Sequence, residues 1–380
     1  MTQRSRKTSN GQRLNGLKHD LTRRRLLGGV AGLTSAAAAV SWLGTSRAQA
    51  EDVEGALNMM GWADYISPDN IARWEDRTGS ILIYDAYASN DEMYSKLQLA
   101  GGNSGYDLGM NTDFMMRLLI DGGYLQKLDH SQIPNIGNIR PEFASPAFDP
   151  GNEYTVPKSW GSEGFIYDKS VITGEMLTWS DFLRAASEEA SGRVSVLDDA
   201  LAIAPLFWSM GESWNTTNET VIAEVEGKVA AYGPHIRTFN SYPVQDVAVG
   251  TVVLAQIWNG NARQAIQSSG NENLVFVYPG PISEAWFDSY HMPVGGEHPH
   301  AAHSWMNFVL DSEVAAEETS YTGFLSPVSG IEEYLPADVA GDPLIFPPAD
   351  ALARGEQTLR NETYDRRVGI LNQLKAAAAA

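Results

Sequence analysis

Three short stretches combine an aromatic ring with an acid or amide, Trp62-Ala63-Asp64-Tyr65, Trp258-Asn259-Gly260 and Trp286-Phe287-Asp288, and two more, Thr112-Asp113 and Asp198-Asp199, supply further acids. The chemistry these residue types suit is recognition of a positively charged group. An aromatic face attracts a cation through its quadrupole, worth ~0.5–1 kcal/mol when exposed and ~2 kcal/mol or more when desolvated. A carboxylate accepts charge-assisted hydrogen bonds from the same cation. A buried carboxylate without a partner is penalised, so rings and acids together define a site completed by a cationic guest. Each residue also has a plainer role. A tryptophan after a strand often packs in a core, Asp198 suits a helix N-cap, and Asp64 suits the turn before Ser67-Pro68.

The elements around these stretches argue for an α/β fold. Ala56 to Met60 reads as a strand, followed by a helix opened at Pro68 and stopped at Gly79. Ser80 to Tyr87 is β-branched and aromatic; Ser89-Asn90-Asp91-Glu92 is a capping box for a helix to Leu99. Tyr106 to Met110 is a third strand, and Thr112 opens a helix to about Ile120. This β-α-β-α-β-α order argues for a mainly parallel sheet covered on both faces. Residues 130–158 read as an extended connection. A second α/β half follows, with strands at 163–167, 194–197, 251–258 and 273–278 and helices at 179–190 and 218–231. One long helix is expected over 300–319 and another over 362–375, before an alanine tail at 376–380. The aromatic and acidic stretches fall after strands, at the carboxyl edge where ligands bind in open α/β sheets.

The first fifty residues carry nine of the chain's 27 basic residues and one of its 47 acidic ones. Thr22-Arg23-Arg24-Arg25-Leu26-Leu27 has the pattern of a twin-arginine export signal, a mildly apolar stretch follows, and Ala48-Gln49-Ala50 suits signal peptidase. Export to the periplasm with cleavage near Ala50 is expected, without a membrane anchor. The rest holds 18 basic and 46 acidic residues, a net charge of −28. That argues against nucleic acid as a partner and favours cations. No cysteine is present, so disulfides and thiolate chemistry are excluded.

A catalytic reading is weak. Gly161-Ser162-Glu163-Gly164 is not a nucleophile elbow, and Asp198-Asp199 does not suit a glycosidase pair. No phosphate-binding glycine fingerprint appears. His298, His300 and His303 read as solvated residues at a helix start rather than a metal centre. No enzyme activity, cofactor or metal is expected.

At these residues the chain resembles the periplasmic spermidine/putrescine-binding proteins of polyamine ABC importers. The matching pieces are Trp62 to Pro68, Ser89 to Leu97, Gly105 to Leu108, Leu125 to Asp129, Val156 to Gly161, Ile257 to Gly260, Trp286 to Ser289 and Phe346 to Asp350. The resemblance implies a two-lobed type II binding fold with the ligand in the interlobe cleft. It implies lobe 1 over 51–161 plus 288–330 and lobe 2 over 162–287 plus 331–375, hinged at Gly161 to Glu163 and near Phe287 to Ser289. Trp62, Asp64 and Tyr65 would line the first-lobe wall, Trp258 and Trp286 would sandwich an alkyl chain, and Asp288 and Asp199 would bind amines.

Some positions depart from the family pattern. Ala202 and Asn261 stand where members place acids, Asp113 stands where they place Ser or Tyr, and Phe324 lacks a hydroxyl. Glu163 brings an acid to the interlobe crossing. The resemblance therefore implies a cationic amine such as putrescine or spermidine, delivered to a transmembrane permease. A zwitterion or carbohydrate stacked on the tryptophans is the alternative.

Overall fold

A computed structural model describes residues 53–380. The export signal read in residues 1–50 lies outside the described residues. Strand β1 (Ala56–Gly61) leads to α1 (Pro68–Thr78), whose C-cap Gly79 takes a left-handed φ of 76°. Then come β2 (Ile81–Ala86), α2 (Asn90–Ala100), β3 (Leu108–Thr112) and α3 (Asp113–Asp121). At the start of α2 the Ser89 hydroxyl accepts from the Glu92 N–H, while the Glu92 carboxylate accepts from Ala88 rather than Ser89. The expected box is therefore displaced by one residue.

The long crossing strand β4 (Thr155–Asp168) comes next, beginning well before the expected strand at 163. It is followed by α4 (Trp179–Ser187), β5 (Val194–Val196), α5 (Ala204–Trp208), α6 (Glu219–Tyr232), β6 (Ile236–Phe239) and α7 (Val244–Ala248). A full capping box between Thr178 and Asp181 starts α4. The chain continues through β7 (Leu254–Trp258), α8 (Asn259–Ser269), β8 (Leu274–Val277) and β9 (Ser283–His291). The expected single helix over 300–319 is two, α9 (Pro299–Val309) and α10 (Ser312–Thr322). Asp311 divides them because its side chain accepts from the N–H groups of Glu313 and Val314. Short α11 (Ala337–Ala340), α12 (Ala349–Leu352) and β10 (Gly355–Glu356) precede α13 (Tyr364–Ala378), which incorporates most of the expected alanine tail.

Strand pairing divides the molecule into two sheets that share β4. The first runs β2-β1-β3-β9-β4, with β1, β2 and β3 parallel and β9 antiparallel to both neighbours. In the second, β4 lies between β7 and β8, and β7, β5 and β6 are parallel. β4 pairs with β9 through Ser162 and with β7 from Glu163 onward, so the chain changes sheets between those two residues. Each sheet has its own core. Leu57, Trp74, Met110, Tyr290 and Trp305 pack in the first; Phe165, Trp179, Phe207, Trp214 and Val229 pack in the second.

Candidate functional site

A cleft of about 490 Å³ opens between the two sheets. β9 forms its floor. Successive side chains on a strand face opposite ways, and here Glu284, Trp286 and Asp288 face the cleft. The other face carries Phe287, which stacks on Phe143 with ring centroids 5.4 Å apart. The sequence left Trp286 and Asp288 in a loop. They belong instead to strand β9, which lies between β3 and β4 in the first sheet.

Aromatic rings form a continuous edge-to-face series along the cleft. Trp62 meets Tyr65 at 5.5 Å, Tyr65 meets Phe324 at 5.6 Å, Phe324 meets Trp286 at 4.9 Å, and Trp286 meets Trp258 at 5.9 Å. Two glycines make this close approach possible. A Cβ on Gly161 would lie 2.6 Å from the Trp286 ring, and one on Gly260 would lie 2.6 Å from the Phe324 ring. Any other residue forces the rings apart.

Below the rings lies a polar network. Tyr65 donates to Asp288 Oδ2 at 2.7 Å, and the other Asp288 oxygen has no partner among the described residues. Burial pushes the Asp288 carboxyl up to about 6, opposed by the bonds from Tyr65 and Thr112 and by the Lys158 charge. Lys158 is itself buried, paired with Glu318 at 3.1 Å, and its ammonium sits 3.9 Å from the Tyr65 ring centre. Burial lowers its pKa and Glu318 resists that.

Asp199 also lines the cleft, and burial raises its carboxyl to about 6. Its side chain caps the turn at Ala200–Ile203 by accepting from the Leu201 N–H at 2.8 Å. The capping role expected of Asp198 therefore falls to its neighbour. Asp198 pairs with Lys375 at 2.5 Å.

The cleft thus brings together Trp62, Tyr65, Phe324, Trp258 and Trp286 with the acids Asp199 and Asp288. Three expected site residues lie elsewhere. Asp113 is buried behind Thr112, where its carboxylate accepts from the Phe114 N–H at 2.8 Å and burial raises it to about 8. Glu163 is fully buried in the crossing, bonded by Gln256 at 2.7 Å and raised well above the carboxylate range by burial and by Glu284. Asp64 is exposed in a left-handed turn with φ of 52°, beside Tyr242 at the rim.

Several cleft residues escaped sequence reading. Glu284 was missed because β9 was not recognised as a strand. Asp91 read only as part of a helix cap, yet it pairs with Arg360 at 2.8 Å and accepts from the Tyr364 hydroxyl at 3.1 Å, tying the first sheet's side to the C-terminal segment. Asn240, Ser241, Tyr242 and Thr358 come from loops with no local pattern to mark them.

Of the three clustered histidines, His300 is exposed and His298 part-exposed as expected, and His303 differs. His303 is buried, accepting from the Asp129 N–H and bonding the Pro299 carbonyl. His298 bonds Asp107 at 2.8 Å and His300 bonds Gln132 at 2.8 Å. The three rings have separate partners, and among the described residues no group of acids and histidines is arranged to hold a metal.

Comparison with known proteins places this geometry in context. The family model for bacterial extracellular solute-binding proteins matches residues 71–347. The chain is 30% identical over 317 residues to the spermidine/putrescine-binding periplasmic protein of Salmonella typhimurium, covering 83% of this chain and 89% of that protein. It is 29% identical to the putrescine/cadaverine-binding protein of Pseudomonas aeruginosa, covering 88% and 96%. Among solved structures it is similar to the spermidine/putrescine ABC transporter substrate-binding protein of Streptococcus pneumoniae, at 26% identity and a TM-score of 0.69, covering 86% and 100%. The architecture is the two-lobed type II periplasmic-binding fold, with a mixed sheet in each lobe.

Proposed function

Because this chain belongs to the bacterial extracellular solute-binding protein family, we propose that it captures a small cationic amine, a polyamine or close relative, for an ABC importer. The observation that carries this reading is the state of Asp288. Its carboxylate is 5% exposed, faces a ring-lined cleft, and keeps one oxygen without a partner among the described residues. An unpaired buried carboxylate is unfavourable until a cation reaches it. Trp286, Phe324 and Tyr65 offer apolar faces for an alkyl chain and electron-rich faces for an ammonium.

The names of the relatives agree with this chemistry, since those proteins are described as binding spermidine, putrescine or cadaverine. Trp62, Tyr65, Trp258, Trp286 and Phe324 would enclose the chain, and Asp288 and Asp199 would take ammonium groups. Asp113 and Glu163 would act on the site's charge from behind the wall, and Asp64 from the rim. Lobe 1 (51–161 plus 288–330) would close on lobe 2 (162–287 plus 331–375) about the Gly161–Glu163 crossing, a hinge motion suited to handing the ligand to a permease. The protein performs no catalysis in this scheme. It would act in the periplasm, exported through its twin-arginine segment; blocking that route should retain the precursor in the cytoplasm.

A thermal-shift screen of the chain from residue 51, against putrescine, spermidine, agmatine, betaine and neutral sugars, tests the reading. A ligand at about 100 times its Kd adds ~2.7 kcal/mol of stability, so amines should raise Tm and sugars should not. A shift with sugars or zwitterions alone would replace the amine by those solutes.

A further inference from the structure

Glu284 is a buried cleft acid that the expected ligand set omits. It is 2% exposed yet reaches the cleft, four residues before Asp288 on the same face of β9, with Trp286 between them. Thr358 donates to one of its carboxylate oxygens at 2.6 Å, and the other has no partner among the described residues. No cation is paired with Glu284, Asp288 or Asp199 among the described residues, whereas Asp91 and Asp198 have Arg360 and Lys375. A rise of ~3.3 Å per residue puts the Cα atoms of Glu284 and Asp288 about 13 Å apart.

We propose that Glu284 is a second ammonium-binding carboxylate, so that the cleft selects a dication whose charged ends are separated by a short alkyl chain lying over Trp286. This rests on the amine-capture reading and adds a residue and a length to it. Two acids flanking an indole on one strand face match one charge at each end and apolar surface between. A monoamine satisfies one acid and leaves the other buried and unpaired. Burial raises the Glu284 carboxyl well above its ordinary range, against the Thr358 bond, and the charges of Asp199, Asp113 and Asp288 add to that. Burial thus favours the protonated form of Glu284 in the empty cleft, and an entering ammonium favours the ionised one.

The alternative is that Glu284 is a permanently protonated structural group. Calorimetric titration at about pH 7.5 with 1,4-diaminobutane and 1-aminobutane separates the two. The unmodified protein should bind the diamine roughly 10- to 100-fold more tightly, the worth of one charged hydrogen-bonded contact. Glu284→Gln should still bind both but bring the two affinities within about threefold of each other. An undiminished diamine preference in Glu284→Gln, or none in the unmodified protein, overturns the proposal. If the unmodified protein binds neither amine, the amine-capture reading itself fails. Glu284→Gln removes a buried unpaired acid and should melt no lower than the parent. Should it not fold, Thr358→Val, which removes the donor that aims the carboxylate, must shrink the preference; an unchanged ratio there also overturns it.

Discussion

The Tyr65 hydroxyl donates to Asp288 across 2.7 Å, and the same Tyr65 ring rests on the buried Lys158 ammonium at 3.9 Å. One side chain thus holds the cleft carboxylate on one side and covers the protein's own cation on the other. Tyr65→Phe keeps the ring and removes the donor. Ligand affinity should fall roughly 3- to 30-fold, in line with loss of one hydrogen bond to a charged group, while Asp288→Asn should cost more. Calorimetry on both variants checks the order.

Asp288 and Asp199, each raised to about 6, give the binding a pH dependence. A cation needs the ionised carboxylates, so the part of the affinity that these two acids supply should be flat above about pH 7 and fall by up to tenfold per pH unit, for each group that must ionise, as pH drops below 6. The stability of the empty protein should move the other way. These folded-state values lie above the unfolded value of ~3.9, so the native state binds more protons between pH ~4 and 6. Their contribution to stability falls as pH rises through that window. Asp113, raised to about 8, extends the trend upward. Chemical denaturation of the parent and of Asp288→Asn from pH 5 to 8 should give a shallower slope in the variant.

Lys158 and Glu318 form a buried pair, at 1% and 8% side-chain exposure. Lys158→Met leaves Glu318 uncompensated and should lose ~3–5 kcal/mol of stability. Adding Glu318→Leu should restore part of it, although the Glu318 bonds to the Ser67 N–H and the Asn70 amide are then lost. Denaturant titrations of the single and double variants measure the recovery.

Gly161→Ala introduces a Cβ 2.6 Å from the Trp286 ring and 2.7 Å from the Asn259 side-chain oxygen. Overpacking of this kind costs about 1–3 kcal/mol, and it pushes the central indole out of position. Both Tm and affinity should fall, whereas Gly227→Ala, in open space on α6, should leave affinity unchanged.

Arg360 ties Asp91 to the C-terminal segment from a part-exposed position, 26% against 41%. Such pairs contribute about 0–1 kcal/mol, so Arg360→Ala should weaken ligand affinity no more than about fivefold, with the change mainly in the dissociation rate. Stopped-flow release kinetics read this directly.

The sequence made the N-terminal alternation of strands and helices legible, because Pro68, Gly79 and Ser89 punctuate it where the structure begins and ends helices. It also marked the tryptophans and Asp288 as residues sharing one edge. It hid β9. Both faces of that strand are covered, so no polar–apolar alternation distinguishes Ser283–His291, and its acids read as a loop. The division between α9 and α10 was hidden for a related reason, since apolar spacing continues across Leu310 and Asp311 while the break lies in one capping side chain. Glu163 and Asp113 were expected among the ligand-binding acids, but sequence carries no depth, and the structure sets both behind the cleft wall. Thr358 and Tyr242 come from segments distant in sequence from the cleft floor, and only the folded chain brings them there.

Calorimetric titration of the protein with 1,4-diaminobutane, beside Asp288→Asn, tests the central claim most directly. The account predicts one site of micromolar affinity or better (about −8 kcal/mol) and at least about a 100-fold loss in the variant. Equal binding by the two proteins, or no binding of any di- or polyamine by the parent, would contradict it.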